Sequence, residues 1–113
     1  MVPAKNRLKK DKEIKLLFEK SRGVFGRCLG VRLRLNHLAE TRFVFITGLK
    51  VSKSAVVRNL LRRQMREAIR KHLEEIKRGF DVALVAKKEM IGAKFAVIED
   101  DVLKTLEKAN LIK

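Results

Sequence analysis

The stretch Arg58-Asn59-Leu60-Leu61-Arg62-Arg63-Gln64-Met65-Arg66-Glu67-Ala68-Ile69-Arg70 leaves little choice of local structure. Leu61, Met65, Ala68 and Ile69, followed by Leu73 and Ile76, recur at helical spacing and fall on or near one stripe. Arg58, Arg62, Arg66 and Arg70 stand at four-residue intervals beside it, with Asn59 and Arg63 between. The pattern predicts a long helix that packs by one stripe and shows a cationic ridge over three turns, roughly 18 Å. Like charges at this spacing destabilise a helix by a few tenths of a kcal/mol per pair, roughly. A polyanion is the natural partner to offset that repulsion.

The rest of the charge agrees. The chain carries a net +15 over 113 residues, the footprint of nucleic-acid binding. Met1 to Arg22 holds eight basic residues against three acidic ones, and Lys50 to Arg78 ten against three. Ala96 to Lys113 is slightly acidic and reads as structural. No run of about 20 apolar residues could span a bilayer. Lys5, Arg7, Lys9 and Lys10 interrupt the first apolar residues, so no signal peptide and no membrane partner are expected. These features predict a soluble, cytoplasmic protein.

At this length one domain is expected, a single RNA-binding domain over residues 1–113. A first amphipathic helix begins near Asp11 as N-cap, carries Ile14, Leu17 and Phe18, and ends around Ser21 to Gly23. Its polar side holds Lys12, Lys15, Glu19 and Lys20. Val31, Leu33 and Leu35 then alternate with Arg32 and Arg34, as in a half-buried strand whose second face is not simply core. After a turn at Asn36 to Thr41, Arg42 to Thr47 reads as a second strand, apolar on both faces and therefore central.

Ser52 or Ser54 can cap the long helix, and Gly79 is expected to end it. Phe80 to Ala86 has the length and composition of a buried strand, so strand, helix and strand suggest a parallel pair. A short turn around Met90 to Gly92 precedes a last helix with Ile98, Val102, Leu106 and Ala109 on its apolar side. The fold class is an α/β (α+β) two-layer sandwich of order α-β-β-(β)-α-β-α. An extra short strand is admitted near Val24 to Arg27.

Catalytic machinery is poorly supported. Cys28 is the only cysteine and cannot form an internal disulfide; beside Leu29 it reads as a small residue in or near a strand. His37 and His72 lack the spacing of a zinc motif and read as surface residues. Glu99, Asp100 and Asp101 tempt a metal-nuclease reading, but neighbours on a helix point in different directions. A cluster that stabilises the dipole at a helix N-terminus is the better account. No metal ligand or catalytic residue is assigned on the protein.

The segment Lys50 to Arg70, above all Arg58-Asn59 followed by Arg62-Arg63, Arg66 and Glu67, resembles the Arg-Asn-x-x-(Lys/Arg)-Arg-x-x-Arg signature of the bacterial ribonuclease P protein subunit. Ala55-Val56-Val57 resembles that family's lead-in, and the resemblance runs along almost the whole chain: the helix ending in Phe18, the strand pair, and the Phe80-Asp81-Val82 strand. Three positions depart from it. Leu60 stands where a third basic residue is common, Lys53-Ser54 replaces Gly-Asn, and Ile14 occupies a place often held by an aromatic.

The resemblance implies a small basic protein that joins a catalytic RNA to remove the 5′ leader from precursor tRNA. The RNA, with Mg2+, would perform the hydrolysis, and the protein alone would be inactive and need no protein partner. RNA contacts carry over to Arg58, Asn59, Arg62, Arg63 and Arg66, with Arg70, Lys50 and Lys53 beside them. Phe18, with Ile14, Arg32 and Lys15, would line a cleft for the leader. The family also implies a left-handed crossover around the arginine helix, against the usual right-handed rule. The chemistry is consistent: arginine forks match phosphate, Asn59 can read a base edge or 2′-hydroxyl, and Phe18 can either stack on a base or pack in the core. The alternative is a stand-alone structural RNA-binding protein of the ribosomal-protein kind.

Overall fold

A computed structural model describes residues 2–112. After a short 3-10 turn at Ala4–Asn6 come α1 (Asp11–Glu19), β1 (Arg22–Phe25), β2 (Leu29–Leu35), β3 (Arg42–Ile46) and α2 (Ala55–His72). A 3-10 turn at Leu73–Glu75, β4 (Phe80–Ala86), a turn at Lys88–Met90 and α3 (Phe95–Lys108) complete the order. The four strands form one sheet in the order β1-β2-β4-β3. β1 and β2, and β2 and β4, pair antiparallel, while β3 and β4 pair in parallel across the α2 connection as expected. The admitted extra strand exists, two residues earlier than Val24.

Alternation along the strands divides the sheet into two chemically different faces. Val31 and Leu33 of β2, Val82 and Leu84 of β4 and Phe43 of β3 meet Leu61, Met65, Ala68 and Ile69 of α2 and Ile98, Val102 and Leu106 of α3 in the main core. Most of these side chains are fully buried, each one larger than alanine contributing about 1.5–3 kcal/mol of apolar transfer. On the opposite face Leu17, Ile14 and Phe18 of α1 pack with Leu8 on Ala83, Val44 and Val85. The sheet with α2 and α3 makes the two layers, and α1 covers part of the second sheet face.

Four expectations about the elements need correction. β3 is an edge strand of the sheet and β4 a central one. β3 is apolar on both faces because α2 packs over Phe43 and α1 with Leu8 covers Val44. Its outer side meets the N-terminal segment in one bridge, Arg7 with Phe43, closed by Leu8 N donating to the Phe43 carbonyl at 2.8 Å. Asp11 is not an N-cap: Lys10 holds that place without a side-chain bond, and Asp11 and Glu13 sit in the first turn, where negative charge suits the helix dipole. α2 stops at His72, so Leu73 and Ile76 reach the core from a 3-10 turn and its exit; Gly79, at φ +92°, turns the chain into β4. Ser54 is the cap of α2, accepting from Val57 N at 3.3 Å, while Ser52 Oγ accepts from Ser54 N.

The acidic trio is the fourth correction. α3 begins at Phe95 with no acid in its first turn, so Glu99, Asp100 and Asp101 lie too deep in the helix to serve its N-terminus. They diverge to three tasks. Asp101 accepts from the backbone N–H groups of Arg27 and Cys28, both at 2.9 Å, and so pins the β1–β2 turn to α3. Gly26 is required there, since an added Cβ would run into Thr105 Oγ1 and both Asp101 carboxylate oxygens. Asp100 pairs with Lys104 at 3.0 Å. Glu99 reaches back to α2, where it meets His72 Nε2 at 2.9 Å and Lys71 Nζ at 3.2 Å.

Candidate nucleic-acid interface

The arginines of α2 do not form one straight ridge. Four residues turn a helix by about 40° beyond a full revolution, so a row at strict four-residue spacing winds around the axis. Arg58 and Arg62 are accordingly half-buried beside the packed stripe, whereas Asn59, Arg63, Arg66 and Arg70, at spacings of four, three and four, form the exposed row. Arg58 Nη1 donates to the Ser52 carbonyl at 2.9 Å, tying the helix to its entry loop. Arg62 donates to the side-chain oxygen Oδ1 of the exposed Asn59.

Arg63 and Arg66 are exposed and, among the described residues, unpaired. The Arg66 guanidinium lies 6.0 Å from the Phe45 ring centroid, over the β3 edge. Arg70 is differently placed: Glu67 takes two hydrogen bonds from it, at 3.0 and 2.5 Å. Hydrogen bonds from Arg70, aided by its charge, hold the Glu67 carboxyl below its ordinary value. Lys50 and Lys53 stand exposed in the loop before α2, and Leu60 is an exposed apolar residue on the helix. A groove of about 320 Å³ between the N-terminal segment and α2 adds Arg7 and Lys9 to Arg66 over a floor containing Phe43 and Phe45.

The second candidate surface is the sheet face that α1 only partly covers. Strand register lays its residues in rows: Phe25, Gly30, Val85 and Ile46; then Gly23, Arg32, Ala83 and Val44; then Arg34, Asp81 and Arg42. α1 sits over the second and third of these and reaches Val85 of the first. Arg42 donates to both oxygens of the buried Asp81 and also to Glu13 of α1, so one guanidinium fixes the helix on the sheet. Asn36 Nδ2 adds a bond to Asp81 Oδ1 at 2.9 Å.

Phe18 and Arg32 meet at the rim of α1, the guanidinium 5.7 Å from the ring centroid and within 3.4 Å of Ser21 Oγ. Phe18 is half-buried, packed against the cluster of Leu8, Leu17 and Ala83 with part of its ring left open to the surface. Ile14 is half-buried beneath the helix and Lys15 is exposed on it. The four residues named for the cleft therefore share α1 and the strand beneath it, while the arginine helix lies against the other sheet face.

Sequence reasoning passed over Phe25, Val85 and Ile46, a row that the α1 cluster reaches only at Val85. Their only signal was alternation in strands whose mutual register a sequence does not state. Arg42 was passed over for the same reason. Among the described residues no group of three His, Cys, Asp or Glu side chains gathers to hold a metal ion, and no helix is long and apolar enough to cross a membrane.

The protein thus presents a basic helix on a mixed sheet, with a second basic and aromatic surface around α1. The family model described as Ribonuclease P covers residues 2–110. The chain belongs to the ribonuclease P protein family. A ribonuclease P protein component from Syntrophomonas wolfei is 33% identical over 111 residues, covering 98% of this chain and 92% of its own length. One from Alkaliphilus oremlandii is 31% identical over 107 residues, covering 95% of this chain and 93% of its own length. The RNase P protein of Staphylococcus aureus superposes with a TM-score of 0.86 at 22% identity, over 96% of this chain and 98% of that one. That of Thermotoga maritima gives 0.82 at 24% identity, over 90% and 96%. These last two show the fold. Family membership makes this ribonuclease P protein an RNA-binding subunit of an endoribonuclease complex that processes tRNA, with ribonuclease P RNA as its partner.

Proposed function

We propose that this ribonuclease P protein grips the catalytic RNA through α2 and holds the single-stranded 5′ leader of precursor tRNA on the sheet face beside α1. The observation that carries this reading is the separation of the two surfaces. α2 buries Leu61, Met65, Ala68 and Ile69 and turns Asn59, Arg63, Arg66 and Arg70 outward, while Phe18 and Arg32 lie on the far face of the sheet. One rigid body can then touch two RNA strands at once. Arg58 and Arg62 support the helix contacts from its flank, and Lys50 and Lys53 extend the positive surface at its start.

In this reading the RNA subunit is the catalyst, and the protein positions substrate. The carboxylates that could have suggested a protein-borne metal centre are each engaged: Asp101 with backbone N–H groups, Asp100 with Lys104, Glu99 with His72 and Lys71. The Mg2+ ions of the reaction would be held by the RNA. The protein contributes arginine forks to phosphate, a ring and a guanidinium to an unpaired base, and a framework that keeps both in place. The assembly is assigned to the cytoplasm.

The deciding experiment is multiple-turnover cleavage of precursor tRNA at low magnesium with protein alone, catalytic RNA alone, and both together. The expected result is no cleavage by the protein and faster cleavage by the pair than by the RNA alone. Cleavage by the protein alone, or no gain on adding it to the RNA, would overturn the assignment.

A further inference from the structure

Phe25 is a large aromatic side chain, 65% exposed, at the end of the edge strand β1 beside the β1–β2 turn. Single exposed apolar residues are ordinary, but the seat of this one is not. Phe25 faces Gly30 directly across β1 and β2, and Gly23 lies two residues before it on the same face. An added Cβ at Gly30 would stand 3.0 Å from the Phe25 ring at Cδ1 and 3.3 Å at Cε1. At Gly23 it would stand 3.7 Å from Cε2 and from Cζ. The ring therefore spans both glycines, one edge over each, and the absence of two side chains lets it rest on the sheet.

The surroundings suit a polyanion. Phe25 begins the row that continues through Gly30 and Val85 to Ile46, where β3 leads into the loop bearing Lys50 and Lys53. Gly23 is paired with Arg32, the residue that stacks on Phe18, so Phe25 and Arg32 belong to neighbouring rows, one step of about 7 Å along the strands. Lys87 donates to the Gly26 carbonyl next to Phe25 at 3.3 Å. The carboxylates Glu13 and Asp81 of this face are both held by Arg42. An exposed ring on a flat strand, bordered by cations, is how sheet proteins stack unpaired bases.

We propose that Phe25, seated on Gly23 and Gly30, is a second stacking platform for an unpaired nucleotide of the 5′ leader, extending the site from Phe18 and Arg32 across β1. The inference rests on the leader reading above and adds a residue to it.

The test uses the holoenzyme reconstituted with its RNA and compares affinity for a precursor bearing a long single-stranded leader with affinity for mature tRNA. Phe25→Ala is expected to reduce that preference about tenfold, within the span measured for base stacking, and Phe25→Trp to restore it. The chain has no tryptophan, so the indole of F25W is a sole reporter, and its fluorescence should be quenched by precursor but not by mature tRNA. Gly30→Ala, which lifts the ring while keeping it, should act like F25A. Because Phe25 is exposed, F25A should melt with the wild type.

If the wild type prefers precursor and Phe18→Ala weakens that preference while F25A and the indole signal are unmoved, the proposal falls and the leader reading stands. If the wild type shows no preference, both fall. Loss of self-association in F25A with leader preference intact would give the ring to a protein interface and overturn the proposal.

Discussion

Arg42 holds Asp81 by two parallel hydrogen bonds, Nε to Oδ1 and Nη2 to Oδ2, both 2.9 Å. Asp81 is buried, and the remaining Arg42 donors reach Glu13, so the pair joins β3, β4 and α1. Removing one partner leaves a buried charge unmatched. Arg42→Met is therefore expected to destabilise the protein by about 3 kcal/mol, the lower end for buried pairs because Arg42 keeps some contact with water. Denaturant unfolding should show the loss, and hydrogen exchange should show α1 opening before the rest. Protection of α1 equal to the wild type would mean that Leu17 and Ile14 alone dock it.

His72 bridges α2 to α3, with Nδ1 2.6 Å from Glu75 and Nε2 2.9 Å from Glu99. Hydrogen bonds to Glu75 first and Glu99 second raise its pKa, while His72 and then Lys71 lower that of Glu99. A raised histidine stabilises the fold fully below its unfolded value, about 6.5, and that contribution is lost as pH climbs through the folded value. The lowered Glu99 acts in the opposite sense, contributing above its unfolded value of about 4.3 and losing that as pH falls. The bridge is thus strongest between the two. His72→Gln should cost under about 1 kcal/mol, since the groups are partly exposed, and should cost more at about pH 5.5 than at about pH 8.5. A penalty independent of pH would show that packing, not charge, is what His72 supplies.

On α2 the pairing pattern ranks the arginines. Arg66 and Arg63 are open to phosphate, whereas Arg70 is engaged by Glu67. Arg66→Ala or Arg63→Ala should flatten the log-log salt dependence of RNA affinity by about one unit each. Glu67→Gln should do the reverse, releasing Arg70 and steepening the slope, by at most about one unit. Filter binding across a salt series reads both, and a slope indifferent to Glu67 would place Arg70 outside the contact.

The long helix, its cap and its buried stripe were legible because they depend on residues within a few turns of one another. The parallel strand pair was legible too, since a helix had to connect the strands. What the sequence could not convey was lateral order. Apolar residues on both faces made β3 read as central, yet an edge strand is apolar on both faces when α2 lies over Phe43 and α1 over Val44. The same gap hid the row from Phe25 to Ile46, whose members are brought together by register alone. The acidic trio reads as an N-terminal cluster only while the start of α3 is open; with the helix beginning at Phe95, Glu99 lies a turn inside it and meets His72.

Phe18 allows its two roles to be separated. Its ring packs with Leu17, Leu8 and Ala83 and also receives Arg32 at 5.7 Å. Leucine keeps most of the apolar contact but has no π face, so Phe18→Leu should cost less than about 1.5 kcal/mol of stability. If Phe18 stacks on the leader, the same change should weaken precursor binding by about 1–3 kcal/mol while leaving mature tRNA unaffected. Phe18→Ala loses both functions, and Arg32→Met removes the cation without the ring. A leader effect in F18L with near-normal stability would therefore separate stacking from packing, since a purely structural ring would lose stability and binding to both RNAs together. Equal binding of precursor by F18L and wild type would confine Phe18 to the core under α1.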